Sequence, residues 1–130
     1  MALLDTISLS ADLAGVAATN MNSFVLIKRG PLETERLHSA SDLSNPELLI
    51  VKHQISGSEK TGGVIDRHLI SFVRTERDVN AVAHRSVVNL TLTVPRVGLF
   101  DNADMLRQVA FMANLMGDAA RRNAILRNES

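Results

Sequence analysis

Residues 85–117, RSVVNLTLTVPRVGLFDNADMLRQVAFMANLMG, decide the fold. Ser86, Val88, Leu90, Leu92 and Val94 fall on one face of the opening segment, and Arg85, Val87, Asn89, Thr91 and Thr93 on the other. A period of two in residues rich in Val and Thr predicts a long strand with one apolar and one polar face. Pro95 has no N–H to donate and stops the ladder. After a short loop, Asp101 or Asn102 is placed to cap a helix, and Gly117 is placed to end it. Leu106, Val109, Ala110, Ala113 and Met116 recur within that helix at the spacing of one core-facing stripe.

Upstream, β-type patterning continues. Leu49, Val51, His53 and Ile55 share a face, opposite Ile50, Lys52 and Gln54. The glycine-bearing turn 57–63 leads into 64–77, where His68, Ile70 and Phe72 oppose Arg67, Leu69, Ser71 and Val73. Residues 78–84 are expected as a loop. Earlier still, 3–9 alternates as a first strand, 10–12 suits a turn, and 13–18 suits a weak second strand. Residues 20–23 read as loop, 24–27 as a short strand, and the charged 32–39 as an edge strand, where charge discourages unwanted pairing. Beyond Gly117, Asp118 is placed to cap a shorter helix carrying Ala119, Ala120, Ile125 and Leu126, with Arg121, Arg122 and Arg127 exposed.

The pattern is α+β: an N-terminal hairpin, an antiparallel sheet of about five strands and two C-terminal helices, in a single domain spanning residues 1–130. Five strands make a sheet about 24 Å wide, whereas one helix is about 10 Å across. One long and one short helix therefore cover it poorly. Met105, Phe111, Met112 and Leu115 lie off the main stripe, so the long helix is apolar nearly all round. Burying each such side chain gains roughly 1.5–3 kcal/mol. These points predict an obligate two-fold dimer in which each subunit's helices cover the partner's sheet, with Leu106, Val109, Ala110, Ala113 and Met116 at the interface.

Composition narrows the function. Positive and negative side chains balance, 14 against 14, which argues against coating nucleic acid by bulk charge. With 0 cysteines, thiolate metal sites and nucleophiles are excluded. The opening MALLDTISLS lacks the basic n-region of a signal peptide, pointing to an intracellular product. His38, His53, His68 and His84 lie on separate segments without metal-ligand spacing, and no serine stands in a nucleophile elbow. Residues 57–61, GSEKT, lack the Gly-Lys-Thr core of a phosphate loop and precede a strand instead of a helix. No catalytic residue, metal or cofactor is indicated. The polar face of the last strand offers more. Asn89, Thr91 and Thr93 beside Arg85 form a row of donors and acceptors, which Lys52, Gln54, Arg67 and Ser71 extend across neighbouring strands. A flat, polar, mildly basic sheet suits RNA phosphates, sugars and unpaired bases; an ordinary solvated face has the same pattern.

The arrangement Arg85-Ser86-x-x-Asn89-x-x-Leu92-Thr93-x-Pro95, followed by a loop and a capped apolar helix, resembles the last strand and first helix of the coat proteins of single-stranded RNA bacteriophages, the levivirus type. The likeness is specific over 85–117, looser over 47–77, and architectural over the first 45 residues. It implies dimers with one continuous sheet and interlocked helices, closing into an icosahedral shell around single-stranded genomic RNA. The expected location is the virion, and the bacterial host cytoplasm during assembly. Asn89 matches an RNA-contacting asparagine of that family, and Thr91 and Thr93 share its face; Lys52 is the expected basic contact and Ser71 an inward one. At Val87 several relatives place a tyrosine that stacks on a looped-out base, worth roughly 1–3 kcal/mol. Valine does not stack, so the resemblance carries genome packaging to this chain and leaves stem-loop recognition open. It also implies that the 76–84 loop meets symmetry copies; small, polar and proline-free, that loop has the composition to adopt more than one conformation. The rival reading is a soluble dimeric α+β ligand-binding or enzyme domain, which requires titratable groups converging in a concave site.

Overall fold

Alternating branched and polar residues carry β-structure further along this chain than turn signals suggest. The computed structural model describes residues 6–10, 21–57 and 63–127. Among these are β1 (Thr6–Ser10), β2 (Met21–Arg29), β3 (Glu33–His38), β4 (Glu47–Ser56), β5 (Ile65–Arg77) and β6 (Ala83–Pro95). Two helices follow, α1 (Asn102–Gly117) and α2 (Ala119–Leu126). The strands pair antiparallel in chain order into one six-stranded sheet, an α+β fold.

Several local expectations are corrected. At the N-terminal end β1 pairs antiparallel with β2 as part of the common sheet, which counts six strands among the described residues. Residues 21–23 belong to β2, because Asn22 and Ser23 pair across to Leu9 and Ser8. The charged segment β3 is interior, between β2 and β4. Its charges tolerate that position because Glu33 and Glu35 meet lysines on one face. On the other face Arg36 is fully buried and donates to Thr34 Oγ1 at 2.8 Å. Strand β6 starts ahead of Arg85, since Ala83 and His84 pair with Arg77 and Glu76. The strand expected over 13–18, and the turn before it apart from Ser10 at the end of β1, lie outside the described residues.

Where β4 returns as β5, Gly57 has φ +87°, and a Cβ there would come within 2.5 Å of the Gly63 carbonyl oxygen. A side chain is excluded on both counts. Downstream of β6, Arg96 grips Asp66 on β5 through two bonds, 2.7 and 2.8 Å, and its N–H donates to Val64 O. This anchors the start of the connection to α1. Asp101 caps α1 by a reciprocal arrangement: it accepts from the Asp104 N–H while its own N–H donates to Asp104 Oδ2. Gly117 is the last helical residue and does not end α1 by a left-handed turn. Asp118 does so in extended conformation and then caps α2 by accepting from the Arg121 N–H.

Register sorts the strands' side chains into two faces. Phe24, Leu49 and Val51 are buried on the first face, with Ile7, Leu9, Ile70 and Phe72 packed against them. Phe24 meets Phe72 edge-on at 5.9 Å. The apolar surface continues through Val88 and Leu90, opposite Phe72 and Ile70. Helices α1 and α2 pack against each other and make no extensive contact with this face. Neither contains a buried residue.

Candidate nucleic-acid interface and helix surface

On the second face, cross-strand pairing assembles the polar residues into rows. Ile50, Ser71 and Asn89 lie in one row, Lys52, Leu69 and Thr91 in the next, and Gln54, Arg67 and Thr93 in a third. Arg85 stands opposite Thr75 on the same face. All eight residues singled out from the sequence, Lys52, Gln54, Arg67, Ser71, Arg85, Asn89, Thr91 and Thr93, therefore share one surface. All are exposed except Ser71, at 6%.

Burial gives Ser71 a different part from its neighbours. Its Oγ donates to Asn89 Oδ1 at 2.6 Å. The bond holds the Asn89 amide upright and occupies its carbonyl, leaving the Nδ2 hydrogens to point at an acceptor. Charge is also distributed differently from the sequence expectation. Lys52 is engaged with Glu33 at 3.2 Å, and Lys28 with Glu35 at 3.4 Å and Glu33 at 3.7 Å. The Lys52 hydrogen bond holds the Glu33 carboxyl below the usual carboxylate range, helped by the charge of Lys28 and opposed by partial desolvation. Arg67 and Arg85 have no ion-pair partner among the described residues. They are the cations the face offers most directly. A signal for the Glu33–Lys52 pairing existed in the sequence, but only with the β3–β4 register in hand, and β3 read as an edge.

The residues expected at a dimer interface are unsatisfied within one chain. Leu106 is 62% exposed; Ala110 and Ala113 are exposed as well, while Val109 and Met116 are half-buried. Phe111, Met112, Leu115, Ile125 and Leu126 are exposed too. Facing no helix of its own, the sheet carries an open apolar groove of about 470 Å³ lined by Leu9, Leu49, Ile70, Phe72, Val88 and Leu90.

The histidines have local partners. His53 and His68 face each other across β4 and β5 with Nδ1 atoms 2.8 Å apart. His38 bridges Glu47 and Asn22, at 3.0 and 3.1 Å, beside Phe24. His84 reaches Asp78 at 3.0 Å. No three His, Asp or Glu side chains among the described residues are grouped to hold a metal ion. No described helix is long and apolar enough to cross a membrane.

A six-stranded meander sheet with one polar face and a terminal helix pair that leaves the other face bare is the fold found in solved coat proteins of small bacteriophages. The chain has that fold. It is similar to the virus-like particle protein of bacteriophage GQ-907, with 13% identity and a TM-score of 0.73 over 90% of this chain and 89% of that one. The virus-like particle protein of Beihai levi-like virus 21 matches over 99% and 98%, with 11% identity and a TM-score of 0.67. An unassembled RNA-binding coat-protein dimer of a bacteriophage matches over 98% and 96%, with 14% identity and a TM-score of 0.59. No family model and no curated protein sequence matches the chain.

Proposed function

We propose that this chain, residues 1–130 as one domain, is the non-enzymatic coat subunit of a single-stranded RNA bacteriophage. The observation that carries the reading is the mismatch between the helices and their own sheet. Both elements present apolar surface, yet they do not cover each other within one chain. A two-fold partner resolves this. Two sheets joined along the open edge of β6 form one continuous surface, and each helix pair lies over the partner's groove. Leu106, Val109, Ala110, Ala113 and Met116 are the α1 residues assigned to that contact. Dimers then close into an icosahedral shell, where many weak contacts act together at high effective concentration.

The polar face becomes the lumen in this reading. Arg67 and Arg85 neutralise phosphates, Gln54, Thr91 and Thr93 contact sugars and base edges, and Asn89 donates from the amide that Ser71 orients. Lys52 contributes once it leaves Glu33. With valine at position 87, no stacking anchor sits in the row with Leu48 and Val73. Genome packaging by backbone contacts is thus better supported than capture of one stem-loop. Its place is the virion, after assembly in the host cytoplasm. The enzyme or ligand-binding alternative lacks a supporting observation: the hollow of about 540 Å³ lined by Phe24, His38, Glu47, Phe72 and Arg74 opens on the face assigned to the partner's helices.

The test is expression of the chain alone, followed by electron microscopy and a nuclease-protection assay. Closed particles holding nuclease-resistant host RNA are expected. A stable monomer that forms no particle, or shells devoid of RNA, would overturn the corresponding half of the proposal.

A further inference from the structure

We propose that Glu33 is a specificity-determining residue of the RNA face, a built-in competitor that occupies Lys52 until a phosphate displaces it. The inference rests on the RNA reading above and concerns how that face is regulated. Glu33 and Lys52 stand directly opposite each other in the β3–β4 register, on the same face as Arg67 and Asn89. Their ion pair is 3.2 Å long, with both side chains open to solvent at 29% and 47%. A pair so exposed is weak and exchangeable, unlike a buried pair, which would lock the lysine away. Lys28 and Glu35 repeat the arrangement one strand over, again opposite each other and 3.4 Å apart.

The consequence follows from counterion release. An unpaired lysine binding a phosphate releases a condensed cation and adds about 0.7 to the salt slope on single strands, or about 0.9 on duplex. A lysine that must first surrender a carboxylate repels RNA through that carboxylate and gains little from the exchange. The face is therefore divided. Arg67 and Arg85 attract any RNA, whereas Lys52 engages only when the strand lies across β4 closely enough to replace Glu33. Non-specific capture is held down without removing the lysine. The Glu33 carboxyl stays ionised well below neutrality because Lys52 donates to it, so the competitor is present at every physiological pH.

The experiment measures fluorescence anisotropy of labelled oligouridine on the purified full chain below its assembly concentration, as a function of salt. Wild type, Glu33→Gln, Lys52→Gln and the double variant are compared, with Glu33→Ala as a second removal of the charge and thermal melting to verify folding. At about 0.1 M salt, Glu33→Gln is expected to bind about fivefold tighter, with a slope steeper by about 0.7. In the Lys52→Gln background, Glu33→Gln is expected to leave the slope unchanged. A wild-type slope in Glu33→Gln overturns the inference while the RNA reading stands, and so does an equal gain with and without Lys52. Binding by Glu33→Gln alone upholds the masking and removes the RNA reading for the native face. No binding by any variant overturns both.

Discussion

The two faces of the sheet solve the same problem, burial of a broad flat surface, in opposite ways. On the apolar face, Phe24, Leu49 and Val51 form a core beside a groove that stays open, while the chain's own helices stand apart with no buried residue. On the polar face, groups satisfy one another along rows: Ser71 with Asn89, Lys52 with Glu33, Lys28 with Glu35. The first face is incomplete and demands a protein surface of similar size and chemistry. The second is complete enough to stand in water, and in the proposed function it exchanges its partners with RNA. A single substitution type applied to both faces should therefore give opposite results.

The largest effect is expected from placing a charge on the incomplete surface. Leu106→Asp forfeits about 1.5–3 kcal/mol of burial in each subunit, which symmetry doubles to about 3–6 kcal/mol per dimer. That is a rise of about 10²–10⁴ in the dissociation constant, before the further cost of burying an unpaired carboxylate. Sedimentation should show monomer or aggregate. Thr91→Asp on the other face should sediment as wild type and lose RNA instead. A well-folded Leu106→Asp dimer would break the comparison.

Next in size is removal of the unpaired cations. Arg67→Gln with Arg85→Gln deletes two phosphate contacts, lowering the salt slope for single-stranded RNA by about 1.4 and affinity at about 0.1 M salt by about 25-fold. Ser71→Ala should cost less, about two- to tenfold, the equivalent of one hydrogen bond of about 0.5–1.5 kcal/mol. It should leave the slope untouched, because no charge changes. The pair of results separates attraction from orientation on one face: a slope that moves with Ser71→Ala would show that the serine shapes the field and not the amide.

Much of this division was legible in the sequence, and the reason is periodicity. Alternation is strict from Arg85 to Val94 and looser from Glu47 to Arg77, where both faces carry apolar residues, yet every polar-face residue named from the sequence falls on one face. Alternation is silent on partners. Glu33 and Glu35 looked like the guard charges of an edge strand, whereas they lie inside the sheet opposite Lys52 and Lys28, a relation fixed only by the β3–β4 and β2–β3 registers and by the irregularity between Leu26 and Lys28. Residues 20–23 read as loop because Asn20, Asn22 and Ser23 are polar, whereas 21–23 are held in β2 by backbone pairing. Gly117 is the last residue of α1 as its type suggested, but the cap itself is Asp118, whose N–H donates to Asn114 O and whose side chain starts the next helix.

The smallest effect belongs to the connection between the two longest strands, which lies on neither face. Asp78 organises it: its Oδ1 accepts from the N–H groups of Asn80 and Val82, and its Oδ2 meets His84 Nε2 at 3.0 Å. Backbone bonds from Asp78 N to Val82 O and from Ala81 N to Asp78 O close the turn, with Ala81 in left-handed conformation at φ 61°. The His84 bond, then the Val82 N–H, hold the Asp78 carboxyl below its usual range against partial desolvation. A depressed carboxyl stabilises the ordered loop at pH above the unfolded value, and that contribution disappears as pH falls through the folded value. The protection factor at Ala81, the factor by which it exchanges more slowly than unstructured chain at the same pH, should therefore fall in acid and, in Asp78→Asn, be low at neutral pH already, while β4 and β5 amides keep wild-type protection. This one carboxylate is therefore expected to hold the loop in the shape seen here. If Asp78→Asn exchanges as wild type at neutral pH, the turn is held by its backbone alone, and the loop's choice of conformation passes to whatever it meets.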